Sequence, residues 1–273
     1  MSENGNIYVT DAGNSRIQKL GPDGNFITSW AAYGYFHWNF NKPLAATVSK
    51  SGYVYMADTA HHILKATIDG EIVTEWGRYG SGDLDYFGYL EMTVDENENI
   101  YVSASHDHRV QKLNSDGEIL KEWGSEGSED GNFFLPEGIT VAKDGNIYVS
   151  DSGNNRIQVF NSDGTFIKKM GSYGTGPGEF DWPEGITTDT FGNIYVADAG
   201  NHGGEGTFRM SGTETLSAAD LDSWLDSLQE GISGRVIVVY DACHSGSFLP
   251  SYLRQTKNGS SSPAHPLTSP PIS

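Results

Sequence analysis

The chain has 273 residues, 37% hydrophobic and 12% aromatic, which is enough apolar material for one large domain or two smaller ones. Its formal charge of −19 at pH 7 would repel a phosphate backbone, which argues against nucleic acid as a partner. No apolar run is long enough for a membrane span, residues 1–20 show no signal-peptide pattern, and the single cysteine, Cys243, excludes an intrachain disulfide. A soluble chain is expected, with the compartment left open. Met1 falls almost inside a repeat, so further residues are expected upstream of it.

In chain order, the first elements are short strands that recur. Four segments align: GNIYVTDAGNSRIQKLGPDGNFITSW from Gly5, GYVYMADTAHHILKATIDGEIVTEWG from Gly52, ENIYVSASHDHRVQKLNSDGEILKEWG from Glu98 and GNIYVSDSGNNRIQVFNSDGTFIKKMG from Gly145. A fifth, GNIYVADAGNH, begins at Gly192 and stops at His202. The starts are 47, 46, 47 and 47 residues apart, a period expected of a solenoid or a propeller. Each period predicts four strands. In the fourth repeat these are PEGITV, NIYVSD, RIQVF and FIKKM, with Ile147 and Val149 on one face and Tyr148 on the other. KDG and SDG supply the turns. Four short antiparallel strands per period make one propeller blade. Tyr8, Tyr55, Tyr101, Tyr148 and Tyr195 should then be equivalent.

The run GNIYV-x-D-x-G-N-x-R-I-Q at 145–158, its copies at 5–18 and 192–202, and PEGI at 136–139 and 183–186 resemble the NHL repeat family. The resemblance covers roughly residues 5–202 and implies a mainly β chain folded as an NHL-type β-propeller. Four to five blades are visible, a fragment of six on the family's usual pattern. Alternatively four blades close, with PEGITTD completing the first and NIYVAD (193–198) left free. The third repeat departs from the pattern: Ala104 stands where Asp11, Asp58, Asp151 and Asp198 stand. Those aspartates are expected to cap turns through hydrogen bonds to nearby backbone.

Ser15, His62, His108, Asn155 and His202 share one repeat position. Three histidines around a pore could hold zinc, and some NHL-like propellers are zinc lyases built in that way. Because the position also takes Ser and Asn, a turn residue is the reading adopted, with no metal and no cofactor.

After His202 the repeat gives way to a polar, hairpin-like stretch reaching Glu214. SAADLDSWLDSLQEG (217–231) predicts a helix, with Ser217 as N-cap and Leu221, Trp224, Leu225 and Leu228 on one face. RVIVVYD (235–241) predicts a strand buried on both faces. ACHSGS follows at its carboxyl end, where open α/β sheets place reactive residues. Residues 254–273 are rich in Ser and Pro and are expected to be disordered.

VVYDACHSG (238–246) and HGG (202–204) resemble the caspase-like cysteine peptidases, most closely the legumain (C13) family. That resemblance implies an incomplete α/β module over residues 203–253. Cys243 would be the nucleophile, His202 the general base and the Gly203 amide an oxyanion donor. An imidazole close to a thiol raises its thiolate fraction, which is the nucleophilic form. The match departs in two ways: AGN separates NIYVAD from the HG pair, and the segment is shorter than the family's domain.

The expectation is therefore a propeller over residues 1–202, a partial peptidase module over 203–253 with His202 at the seam, and a tail over 254–273. It would be a cysteine endopeptidase-like protein acting on protein or peptide, weakly active or inactive. The alternative is a non-catalytic propeller that binds protein or carbohydrate through its loops.

Overall fold

Runs of five or six residues rich in Ile, Val, Tyr and Thr, punctuated by Asp-Gly turns, favour short antiparallel strands over any other element. The structure is a computed structural model that describes residues 5–30, 42–59, 62–77, 86, 88–189, 191–198, 207–210 and 214–216. The first sheet holds β1 (Ile7–Asp11), β2 (Arg16–Leu20) and β3 (Phe26–Trp30). The second holds β4 (Pro43–Val48), β5 (Tyr53–Asp58), β6 (Ile63–Thr67) and β7 (Ile72–Trp76). The third holds β8 (Leu90–Val94), β9 (Ile100–Ala104), β10 (Arg109–Leu113) and β11 (Ile119–Trp123). The fourth holds β12 (Pro136–Val141), β13 (Ile147–Asp151), β14 (Arg156–Phe160) and β15 (Phe166–Met170). The fifth holds β16 (Pro183–Thr188), β17 (Ile194–Asp198), β18 (Thr207–Met210) and β19 (Glu214–Leu216). Every sheet is an antiparallel meander in chain order, the build of a propeller blade.

β16 pairs with β17, so the fifth repeat's first strand heads its own sheet and does not complete the first. β17 in turn pairs with β18, Tyr195 opposite Met210 and Asp198 opposite Thr207, and β18 pairs with β19. The sheet therefore runs past residue 202, where the repeat motif ends. Strands β18 and β19 come from the segment that the sequence reading gave to the peptidase module. The expected helix over 217–231, the strand over 235–241 and the tail lie outside the described residues.

The core lies between the sheets, with one cluster at each of the four junctions. Ile17 meets Val54 and Met56 between the first and second sheets, and Tyr55 and Ile63 meet Ile100 and Val102 between the second and third. Tyr101 and Val110 meet Ile147 and Val149 between the third and fourth, and Tyr148 and Val159 meet Val196 between the fourth and fifth. β9 and β13 are buried along their whole length because a neighbouring sheet covers each face. Each fully buried side chain of the size of Ile100 or Met56 contributes about 1.5–3 kcal/mol through burial.

The five tyrosines are equivalent. Tyr55, Tyr101, Tyr148 and Tyr195 each lie opposite a threonine of the innermost strand, namely Thr47, Thr93, Thr140 and Thr187. Tyr8, Tyr55 and Tyr101 lie opposite Lys19, Lys65 and Lys112 on the third strand. Each of these lysines reaches a turn carbonyl of the next sheet, at Ile68, Ser115 and Ser162.

Two glycines show why the period is strict. Gly117, in a turn of the third sheet at φ +84°, packs against the Trp76 indole of the second, and any Cβ there would overlap the ring. The same contact recurs between Gly70 and Trp30 and between Gly164 and Trp123. Gly138, on β12, lets the carbonyl of Glu184 on β16 approach where two innermost strands run side by side.

Candidate functional site

The sequence D-x-G-N-x-R-x-Q builds one end of the first and fourth blades. In the fourth sheet β13 ends on Asp151, the single-turn 3-10 helix Ser152–Asn154 follows, and Asn155 closes it at φ 53°. The Asp151 side chain is fully buried. It accepts from Arg156 Nε at 2.7 Å, Asn154 Nδ2 and Gln158 Nε2 at 3.0 Å, and the Phe134 amide at 2.8 Å. Asp11 repeats the arrangement with Asn14, Arg16 and Gln18. This corrects the expectation of turn caps. No side-chain cap bond forms at Asp11 or Asp151, and the carboxylate instead gathers the later side chains of its own motif. Asp58 does make the expected kind of bond, accepting the amide of His62 at 3.0 Å. In the third sheet, where Ala104 replaces the aspartate, Glu122 takes its place, accepting from Arg109 at 2.8 Å and Gln111 at 2.6 Å.

The residue after each 3-10 turn ties its blade to the next. Ser15, His108 and Asn155 all have left-handed backbone. Ser15 Oγ accepts the Lys42 amide at 3.4 Å, His108 Nδ1 accepts the Leu135 amide at 3.1 Å, and Asn155 Oδ1 accepts the Trp182 amide at 2.8 Å. The donor is in each case 27 residues downstream, directly before the proline that opens the next innermost strand. The turn reading of this position therefore holds for these three residues. His62 pairs with Asp58, Nδ1 to Oδ2 at 3.4 Å. Among the described residues no group of three His, Cys, Asp or Glu side chains could hold a metal ion.

The same end of the propeller carries acids that sequence reading missed. Glu91, Glu137 and Glu184 are the second residues of β8, β12 and β16. Burial pushes the Glu91 carboxyl up to about 7, against a bond from the Met92 amide. Burial, then the charge of Glu184, pushes Glu137 up to about 7, while the Trp182 indole, donating at 3.2 Å, pulls the other way. Both carboxyls thus exchange protons near neutral pH. The signal available in the sequence was Glu recurring at intervals of 46 and 47 residues.

His202, Gly203 and Cys243, the predicted site residues, lie outside the described residues. By position in the chain, His202 and Gly203 fall in the connection between β17 and β18, and Cys243 falls beyond β19. Among the described residues no helix is long and apolar enough to cross a membrane.

Residues 130–202 match a family described as a 6-bladed β-propeller. Residues 191–260 match the peptidase C13 family. The two matches overlap on the stretch that contains β17 and His202. No curated protein matches the chain. The fold is similar to a catalytically inactive virginiamycin B lyase from Staphylococcus aureus with quinupristin, at 16% identity and TM-score 0.58, over 79% of this chain and 67% of that one. It is also similar to a protein of unknown function from Bacteroides caccae, at 16% identity and TM-score 0.53, over 79% and 73%. The WD40 β-propeller domain of Doa1 is similar at 12% identity and TM-score 0.53, over 72% and 58%. At these identities the likeness is one of fold, and the fold is a propeller.

Proposed function

We propose that the chain is a cysteine endopeptidase-like protein of the C13 type carried on an NHL-type β-propeller. The observation that carries this reading is the C13 match over residues 191–260, which spans His202, Gly203 and Cys243. In this reading Cys243 Sγ attacks the scissile carbonyl and His202 takes the thiol proton, later delivering it to the leaving amine. The Gly203 amide donates to the oxyanion, and water then hydrolyses the thioester. The propeller presents protein or peptide substrate through its loops.

A second reading, an interaction module binding protein or carbohydrate, draws on the propeller likeness over 79% of the chain. Thiol labelling separates the two. On the peptidase reading iodoacetamide modifies Cys243 faster than a free cysteine, His202→Ala slows that labelling, and Cys243→Ala abolishes cleavage of an unfolded protein substrate. Cleavage that persists in Cys243→Ala would sink the nucleophile. Labelling at the ordinary rate, unchanged by His202→Ala and without cleavage, would leave the interaction module.

A further inference from the structure

In three blades the residue that closes the 3-10 turn offers an acceptor atom to the next blade, and in one of the three that atom belongs to an imidazole. We propose that the seam between the third and fourth sheets is an acid-sensitive latch, released when His108 takes up a proton.

His108 Nδ1 accepts the amide of Leu135 at 3.1 Å, and the imidazole stacks on Phe134 with ring centres 5.6 Å apart and planes 5° from parallel. A neutral imidazole has one acceptor nitrogen, and the protonated ring has none. Protonation therefore turns the Leu135 contact from a hydrogen bond into two opposed N–H groups. Ser15 and Asn155 fill the same place with oxygen acceptors that do not titrate in this range, so their seams keep their latches in acid. An acceptor is what the position requires in all three sheets, which fixes the neutral form of His108 as the latched one.

The residue held by the latch has a reason to leave. Leu135 has φ 51° and precedes Pro136. Left-handed backbone is unfavourable for a residue with a Cβ, and a following proline favours extended backbone. Without its acceptor, Leu135 moves toward the extended region and takes the start of β12 with it.

The charged and titratable groups on the elements that meet here are His106 and Asp107 in the turn before His108, Arg109 and Lys112 on β10, Lys121 and Glu122 on β11, Glu91 on β8, Glu137 on β12, and Asp151, which accepts the amide of Phe134. Arg109 is 2.8 Å from Glu122 and 3.8 Å from Asp107. Glu91 on β8, the strand packed beside β12, and Glu137 also change charge near neutrality. Glu137 is two residues from Leu135, so a Glu137→Gln variant serves as the control. The test brackets the range over which imidazole side chains in general change charge.

The test is amide hydrogen exchange of Leu135 in the full chain at pH 8 and pH 5.5, corrected for intrinsic rates. Wild type and Glu137→Gln should lose protection at Leu135 by roughly fivefold on acidification, the equivalent of one neutral hydrogen bond. His108→Asn, which installs the acceptor found at Asn155, should hold its protection at both values. The Trp182 amide should hold in all three proteins. Equal loss in wild type and His108→Asn would overturn the latch. If His108→Asn does not fold, wild type still decides. The Leu135 amide resonance must move with the His108 ring titration, and a resonance that stays still while the ring titrates would overturn it equally.

Discussion

Replacing Asp151 by Ala should destabilise the protein far more than replacing Asp11, although the two occupy the same place in the repeat. Asp151 is fully buried, Arg156 beside it is only 8% exposed, and four donors converge on the carboxylate. Removing it leaves the Phe134 amide short of an acceptor. It also leaves the guanidinium with carbonyl partners at Ser128, Glu129 and Asn132 and only Asp130, 3.7 Å away, as counter-charge. Breaking one side of such a buried pair costs about 3–5 kcal/mol, a large share of a typical domain's roughly 5–15 kcal/mol. At Asp11 the side chains of the pair are 19% and 37% exposed, and water takes over much of what is lost, leaving about 1 kcal/mol. Urea unfolding of the full chain, followed by the emission of its six tryptophans, measures both. A cost for Asp151→Ala within about 1 kcal/mol of that for Asp11→Ala would refute the claim that burial decides the strength of this hub.

Other outcomes follow from the same geometry. Gly117→Ala should lower stability by roughly 2 kcal/mol, because a Cβ is strained at φ +84° and overlaps Trp76, and Trp76→Leu should reduce that cost. Glu137→Gln should raise stability at pH 8. The folded carboxyl is pushed up to about 7, above its unfolded value, so the stability it contributes is full below about pH 4.5 and is lost as pH rises through 7. Denaturation at pH 8 and pH 4.5 checks this, and a gain as large at pH 4.5 as at pH 8 would contradict it. On the peptidase reading, Cys243→Ala should leave the urea midpoint unchanged while removing cleavage.

Periodicity made the blades legible before any coordinates. Ile147, Val149 and Tyr148 alternate, and two neighbouring sheets cover the two faces that this alternation creates. What escaped was everything that joins one sheet to another. Ser15, His108 and Asn155 have only an acceptor atom in common, and each acts on an amide 27 residues away, so no local pattern marks the latch. Glu137 read as a strand-start residue, because its neighbours Trp182 and Glu184 belong to the next repeat. Of the candidate site, Cys243, His202 and Gly203 are proposed from the sequence motif alone, and the described structure reaches only the strands on either side of the HG pair.

The position of those strands bears on where the propeller ends. The repeat motif stops at His202, yet β17 uses one edge for β16 and the other for Thr207–Met210, which in turn carries Glu214–Leu216. Thr207–Met210 lacks the R-I-Q signature of β2 and β14, and backbone pairing is all that assigns it to the sheet. A chain ending at residue 202 would therefore expose the ladder groups of Tyr195–Asp198 along an open edge, a template for association with another copy. A chain ending at residue 216 would keep that edge covered. The longer form should unfold at a higher temperature and remain monomeric in sedimentation at concentrations where the shorter one associates. If the two melt together and sediment alike, β18 contributes nothing to the fifth blade. The propeller would then end where its motif ends, leaving residues 207–216 to the C13-like segment that also claims them.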